Sequence, residues 1–247
     1  MSRSVVWLLL VGAVVWALLT ADVEMAKLGK AGPRLWDFLT RMVPPDLTIW
    51  REMLRGLAET LRIAILGTLF AVILSAGFGI LASETLMRPA VWRPVRALLA
   101  MVRAIPLILV AMLMVGAVGL GPLPGILAIT FHATGMLAKF YAEAIDNVAT
   151  GPVAALESAG ASKLQQLRYG IWPQMAPVIL RDTVFRFELN LRESLVLGIV
   201  GAGGIGLYIQ TYVRSFQYEK AASVTLAIVA LVLLSELVNT LLKKRFS

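Results

Sequence analysis

Apolar residues run in six blocks, at residues 5–21, 61–83, 105–118, 125–138, 178–200 and 221–242, separated by polar or glycine- and proline-rich stretches. An α-helix needs about 20 apolar residues to cross a bilayer. The pattern predicts an all-α, polytopic membrane protein with about six transmembrane helices. The first block follows Arg3 and is longer than the apolar region of a signal peptide, and Thr20-Ala21-Asp22 is a poor cleavage site. It is read as a retained first span.

Between the first two blocks the pattern changes. Leu35, Phe38, Leu39 and Met42 share one helical face. Pro44-Pro45 breaks the chain and leaves Asp46 as an N-cap, after which Leu47, Trp50, Leu54, Leu57 and Leu61 recur at helical spacing. This second helix suits the membrane interface or a packing face beside it. Residues 140–177 form the other long polar interval. They carry two short helix patterns, 153–160 and 163–169, with Thr150-Gly151-Pro152 before them and Pro173 and Pro177 expected to stop the second.

Composition agrees with the pattern. The 247 residues are 59% hydrophobic and only 15% charged, and the mean hydropathy is +0.81. A soluble domain is nearer a quarter charged. The net charge of +8 is read as cytoplasmic loop charge, not as a nucleic-acid footprint. Arg88, Arg93, Arg96 and Arg103 cluster in a loop at 84–103 that the positive-inside rule places in the cytoplasm. Interval 140–177 and the tail Lys243-Lys244-Arg245 fall on the same side, as do both termini. The external loops are 22–55, where Asp22, Glu24, Asp37, Asp46 and Glu52 balance the basic residues, then 119–124 and 201–220. With no cysteine, the chain has no thiolate chemistry.

Candidate chemistry concentrates in the fifth block, which contains Arg181, Asp182, Arg186, Glu188, Arg192 and Glu193. An ionised side chain at mid-bilayer costs about 2.5–3.5 kcal/mol on the mildest scale. The helix must therefore face a protein interior, a subunit interface or a wet path. Spacing of four predicts Asp182–Arg186 and Glu188–Arg192 pairs, with Asn190 accepting from Arg186. A translocation path or gate and a set of internal ion pairs both fit. His132, the only histidine, lies in the fourth block as a packing residue or as a ligand or proton site.

Gly201-Ala-Gly-Gly-Ile-Gly206 spells a dinucleotide-binding fingerprint. That fingerprint needs a strand before it and alternating β and α units around it. Here the flanks are helical and membrane-spanning, so Gly201, Gly203, Gly204 and Gly206 are read as an unwound segment at a helix end. No phosphate-binding loop, nucleophile elbow or paired-carboxylate site is present, so the chain is not expected to be an enzyme.

The interval 140–177 resembles the cytoplasmic coupling loop of ABC importer permeases, whose pattern is EAA-x3-G-x9-I-x-L-P. Gly160 and Pro173 stand at the right separation, and Ala161-Ser162 follows the glycine. Ala154, Gly170 and Trp172 replace the motif's Glu, Ile and Leu, and Glu157 is a substitute acid three residues later. More widely, Pro44-Pro45-Asp46, Arg103-Ala-Ile-Pro106, Gly119-Leu-Gly-Pro122, His132 with Lys139, Tyr141-Ala-Glu-Ala144, Arg186-Phe-Glu188, Arg192 and residues 197–206 resemble the permease subunit of phosphonate and phosphite ABC importers. Leu107 stands where that family commonly has Glu. Methionine permeases share a similar glycine-rich segment but resemble the rest of the chain less.

The resemblance implies a type I importer. A second permease copy or a paralogue completes the path in a bacterial inner membrane. Two ATP-binding subunits dock on the cytoplasmic side and hold ATP and Mg, with no cofactor on this chain. An external binding protein delivers the solute, and nucleic acid is not a partner. The implied divisions are 1–56, a first span plus external helices, and 57–243, the permease core with its coupling loop at 141–177. Ala154, Glu157, Gly160, Ala161, Ser162 and Pro173 are the implied coupling residues. Arg103, Pro106, His132, Arg186, Glu188, Arg192, Gly201, Gly203, Gly204 and Gly206 are assigned to the path or gate.

Overall fold

The structure, a computed structural model, describes residues 3–21 and 25–246. It divides into two compact units, Met1–Pro44 and Pro45–Ser247. The first holds α1 (Arg3–Thr20) and α2 (Met25–Thr40). Leu35, Phe38 and Leu39 lie on α2, and Met42 follows its end. The apolar part of α1, Ser4–Thr20, is about 25 Å long, short of the roughly 30 Å hydrocarbon layer. Asp22 and Glu24, two of the acidic residues expected to balance the first external loop, lie outside the described residues.

The second unit is a helical bundle of α3 (Trp50–Ala82), α4 (Pro89–Ala104), α5 (Leu107–Val118), α6 (Pro122–Asp146), α7 (Thr150–Ser158), α8 (Lys163–Gln165), α9 (Trp172–Leu197), α10 (Ile205–Arg214) and α11 (Tyr218–Phe246). Among the described residues, four segments are long and apolar enough to cross a membrane: Leu47–Ala82, Pro122–Asp146, Gln166–Arg214 and Tyr218–Val238. A fifth arises if α4 and α5, bent by 85°, count as one broken span.

Several boundaries differ from the sequence reading, each for a physical reason. The interfacial helix expected after Asp46 and the following span are one helix, α3. Nothing between them breaks the repeat, because the only glycine there, Gly56, is buried against α10. Asp46 is the expected cap, its carboxylate accepting from the Thr48 amide at 2.8 Å. Residues 89–104 are helix α4 and not loop. Pro89 begins it, as an N-terminal proline can, and Val95 and Leu99 pack inward beneath the arginines. The block at 105–118 yields only the 12 residues of α5. Pro106 forces Ile105 into extended backbone (φ −81°, ψ 121°), and this makes the elbow. Residues 205–214, expected as loop, form α10.

Pro173 and Pro177 do not stop a helix. Residues 163–165 continue through a π turn at Gln166–Ile171 directly into α9. Pro173 sits in the first turn of α9, where its missing N–H costs little. The wider π turn offers room for a ring that a regular helix would crowd.

The core is the packing of α3 on α6, with α9 laid across both. Gly67, Ala71, Ser75 and Gly79 recur every four residues on the buried face of α3. Small residues at this spacing let membrane helices approach closely. A Cβ on Gly67 would lie 2.6 Å from Ile129 on α6. Hydroxyls add ties, with Thr130 Oγ1 donating to the Gly67 carbonyl at 3.4 Å and Ser75 Oγ to the Thr134 carbonyl at 3.3 Å.

Candidate functional site

Helix α9 runs antiparallel to α6 and carries two polar faces. On the buried face, Arg186 is 2% exposed at its side chain and its Nη2 lies 2.8 Å from Glu193 Oε2. The same nitrogen is 3.1 Å from His132 Nδ1, and Nη1 donates to Met136 Sδ at 3.3 Å. Arg186 thus joins two turns of α9 to two consecutive turns of α6. Its Nε has no partner. Asn190, one turn on, donates to Thr68 Oγ1 of α3 at 2.8 Å. Thr183 and the Tyr141 hydroxyl, 2.6 Å apart, make a further α6–α9 contact.

The other face is open. Arg192 donates to Glu188 at 2.7 Å, with 44% of the Arg192 side chain exposed. Phe185, Val196 and Ile199 flank it, also exposed.

The expected Glu188–Arg192 pair is present. The expected Asp182–Arg186 pair is not, because Asp182 meets the adjacent Arg181 at 3.3 Å. Asn190 does not accept from Arg186 either. Arg186 reaches along the helix to Glu193, seven residues on, where the guanidinium is buried and the carboxylate half-buried. Spacing of four selects neighbours on an isolated helix surface, whereas burial against α6 selects the Glu193 partner here. His132, a lone histidine in the sequence, belongs to this cluster.

Residues 198–206 close one end of α9. Gly201, Gly203 and Gly204 have φ of +84°, +81° and +81°, a region open to glycine. The Thr60 hydroxyl of α3 accepts from the Ile205 amide at 2.9 Å, satisfying a donor at the start of α10. The Gly201 carbonyl accepts from the Gly121 amide at 3.1 Å, joining this segment to the α5–α6 turn. A Cβ on Gly203 would stand 2.7 Å from Glu59 Oε1 and 2.9 Å from the Pro122 backbone. Helix, not strand, precedes the segment, so the dinucleotide reading fails on geometry. Arg103 and Pro106 lie at the α4–α5 elbow. Arg103 Nε donates to the Leu99 carbonyl at 3.4 Å, and Pro106 caps α5. Among the described residues, neither is hydrogen-bonded or ion-paired to the Arg186 cluster.

The loop after α6 is folded by its own signals. Gly160 (φ +78°) follows α7. Its amide donates to the Glu157 carbonyl at 2.9 Å and the Ala161 amide to the Leu156 carbonyl at 3.0 Å, the paired bonds of a Schellman stop. Ser162 and Gln165 then form a capping box, with the Ser162 amide 2.7 Å from Gln165 Oε1 and the Gln165 amide 3.4 Å from Ser162 Oγ. Val153 and Leu156 of α7 pack over buried Gly170. Ala154 and Glu157 both lie exposed on α7, while Pro173 opens α9.

Sequence reasoning gave no role to Glu193, Thr60 or Asp146. Asp146 accepts from Ser83 Oγ at 2.6 Å, the Thr85 amide at 3.0 Å, the Glu84 amide at 3.2 Å and Arg96 Nη2 at 2.7 Å. The signal for it was an acid in the last turn of a helix, where the dipole disfavours negative charge.

Residues 75–247 match the family described as binding-protein-dependent transport system inner membrane component. The chain belongs to this family. It is a multi-pass inner-membrane transport component, with no catalytic role of its own in that family. It is 41% identical over 231 residues to a putative phosphite transport system permease protein, HtxC, of Stutzerimonas stutzeri, covering 93% of this chain and 80% of that one. The phosphite transport system permease protein PtxC of the same organism is 39% identical over 215 residues, 87% of this chain and 78% of its own. An inward-facing structure of the MetNI methionine ABC transporter matches with a TM-score of 0.69 at 22% identity, over 82% of this chain and 99% of that one. That match establishes the fold.

Proposed function

We propose that this chain is the permease subunit of an ATP-driven importer for phosphite, a phosphonate or a related phosphorus oxyanion delivered by an external binding protein. Two ATP-binding subunits dock on the loop at 150–171, and a second permease, a copy or a paralogue, completes the path. The relatives supply the solute class. The structural observation that carries the reading is Arg192. It is 44% exposed on α9, within a segment, Gln166–Arg214, that is long and apolar enough to span. A guanidinium open to that degree cannot face hydrocarbon at low cost, so this face of α9 borders water or a second permease. An oxyanion passing there would meet a cation already held by Glu188. Arg186, sealed between α6 and α9, has no such access and is the internal tie.

The arginine cluster of α4 supports a cytoplasmic position for the α3–α4 turn, the 150–171 loop and both termini. Residues 198–206 then lie at the outer end. Alternating access follows if ATP binding moves the loop and the loaded binding protein favours opening at the other end. Ala154 and Glu157, exposed on α7, are the docking residues facing the ATPase, and Gly160, Ala161 and Ser162 shape that surface.

The test is uptake into liposomes holding the full complex, with phosphite, methylphosphonate and methionine each offered with ATP. Phosphorus oxyanions are taken up and methionine is not. Arg192→Gln removes a charge-assisted contact worth about 1.5–3 kcal/mol, so uptake falls about 10- to 100-fold with assembly intact. Arg186→Gln leaves Glu193 without its partner, costing about 3–5 kcal/mol, and lowers the amount of folded permease instead. Uptake by this chain alone without ATP would overturn the reading.

A further inference from the structure

The Asp146 carboxylate is placed where an isolated helix would not put it. It occupies the last turn of α6, against the helix dipole, yet it accepts four hydrogen bonds from two separate places. The Ser83 hydroxyl and the Glu84 and Thr85 amides come from the turn after α3, and Arg96 comes from α4. Arg96 adds its own contacts. Its Nε donates to the Ala82 carbonyl at the end of α3 at 2.8 Å, its Nη1 pairs with Glu84, and its guanidinium lies 4.9 Å over the Trp92 ring. The ends of α3 and α6 and the middle of α4 are thus pinned by one carboxylate and one guanidinium.

This node sits at the root of the 150–171 loop, since α7 begins four residues after Asp146. The loop's other root is tied as well. Gln174 of α9 accepts from the Ala149 amide at 3.0 Å and donates to the Gly170 carbonyl at 2.7 Å. Displacement of α7 therefore reaches α9 directly, through the π turn, and reaches α4 through the Asp146–Arg96 ion pair and through the packing of Val95 and Leu99 on Ala138 and Ala142 of α6. From α4 the chain passes the 85° elbow into α5. Val110 and Ala111 of α5 share a buried cluster with Leu197 and Ala202, beside the glycine segment.

We propose that Asp146 is a positioning residue that carries displacement of the 150–171 loop into α4 and α5, holding α6, the α3–α4 turn and Arg96 together as one strut. The strut stays closed through the cycle. Its service is to make the elbow and the glycine segment move with the loop, not after it. This inference rests on reading the chain as an ATP-coupled permease.

The readout is solute taken up per ATP hydrolysed, in the reconstituted complex. A merely structural role would lower uptake and hydrolysis together, with the amount of assembled complex. Loss of the strut lowers the ratio. Asp146→Asn is expected to keep ATP hydrolysis and to cut uptake per ATP about fivefold or more. The natural chain has no cysteine, so the double variant Ser83→Cys, Asp146→Cys can be compared with itself, reduced and oxidised. Reduced, it should behave as Asp146→Asn. Oxidised, its covalent tie should restore the ratio. An oxidised form that transports no better than the reduced one, or worse, overturns the proposal, as does an Asp146→Asn complex with an unchanged ratio. Failure of the unsubstituted complex to take up solute with ATP would instead count against the importer reading.

Discussion

At residues 198–206 helices meet backbone to backbone, whereas at the Asp146 end they meet through side chains. The first end has Gly206 on Leu195 and Gly198, and Gly203 on Pro122. The second has a carboxylate, a guanidinium, a Schellman stop and a capping box. The difference bears on how each end can move. Close-packed backbone has few intermediate positions, so a segment built that way tends to be in one packing or another. A hydrogen-bonded frame of long side chains tolerates displacement while keeping its partners. The fold thus puts a side-chain frame that keeps its partners at the Asp146 end and close-packed backbone with few intermediate positions at residues 198–206.

One substitution made at both ends gives the sharpest test of that contrast. Gly206→Ala has the largest expected effect. Its Cβ would overlap the Leu195 carbonyl oxygen and lie 3.1 Å from Gly198 Cα, and backbone atoms cannot swing aside. The expected loss is about 3 kcal/mol, seen as a lower melting temperature of the detergent-solubilised protein. Gly160→Ala is the counterpart. Nothing lies within 4 Å of its Cβ, but φ is +78°. Left-handed backbone costs a non-glycine residue about 1–2 kcal/mol. That strain stays in the Schellman stop, so faster amide exchange at Ala161 is expected with little change in melting. Equal melting losses at the two sites would break the comparison.

The same contrast explains what could be read from the sequence. The apolar blocks, the Asp46 cap, the short helix α7 with its Gly160 stop and the Glu188–Arg192 pair were legible, because each depends on residues within a few positions of one another. The glycine segment was legible as unwound, but its reason was not. Gly203 and Gly204 answer to Glu59, Pro122 and Thr60, which are remote in sequence. The partner of Arg186 was misread for a related cause. Periodicity gives the options on one helix, and α6 decides among them by excluding water. Helix α4 was hidden by its own arginines, which drew attention to charge while Val95 and Leu99 marked the buried face. Asp146 and Arg96 are 50 residues apart, and no local pattern joins them.

The smallest expected effect lies at Asp46, at the same end of the bundle as the glycines but built like the opposite end. Its carboxylate accepts from the Thr48 hydroxyl at 2.6 Å and the Thr48 amide at 2.8 Å. Chiefly the hydroxyl bond, and then the amide bond, hold its pKa below the ordinary aspartate value. A depressed carboxylate contributes stability above its unfolded pKa of about 3.9 and loses that contribution as pH falls through the folded value. The melting temperature should therefore show a shallow acid limb below about pH 4. Asp46→Asn keeps an oxygen that can accept from both Thr48 donors but cannot titrate, so the variant should retain the cap and lose this part of the limb. The backbone of Asp46 is held independently, its amide donating to the Glu219 carbonyl at 3.2 Å and its carbonyl accepting from Ser223 at 2.7 Å. Loss of the cap bonds should thus free only the 3-10 turn Leu47–Ile49 that leads into α3. A steep acid limb, removed by Asp46→Asn, would mean that side-chain hydrogen bonding governs this end too, and that backbone packing is not its distinguishing means.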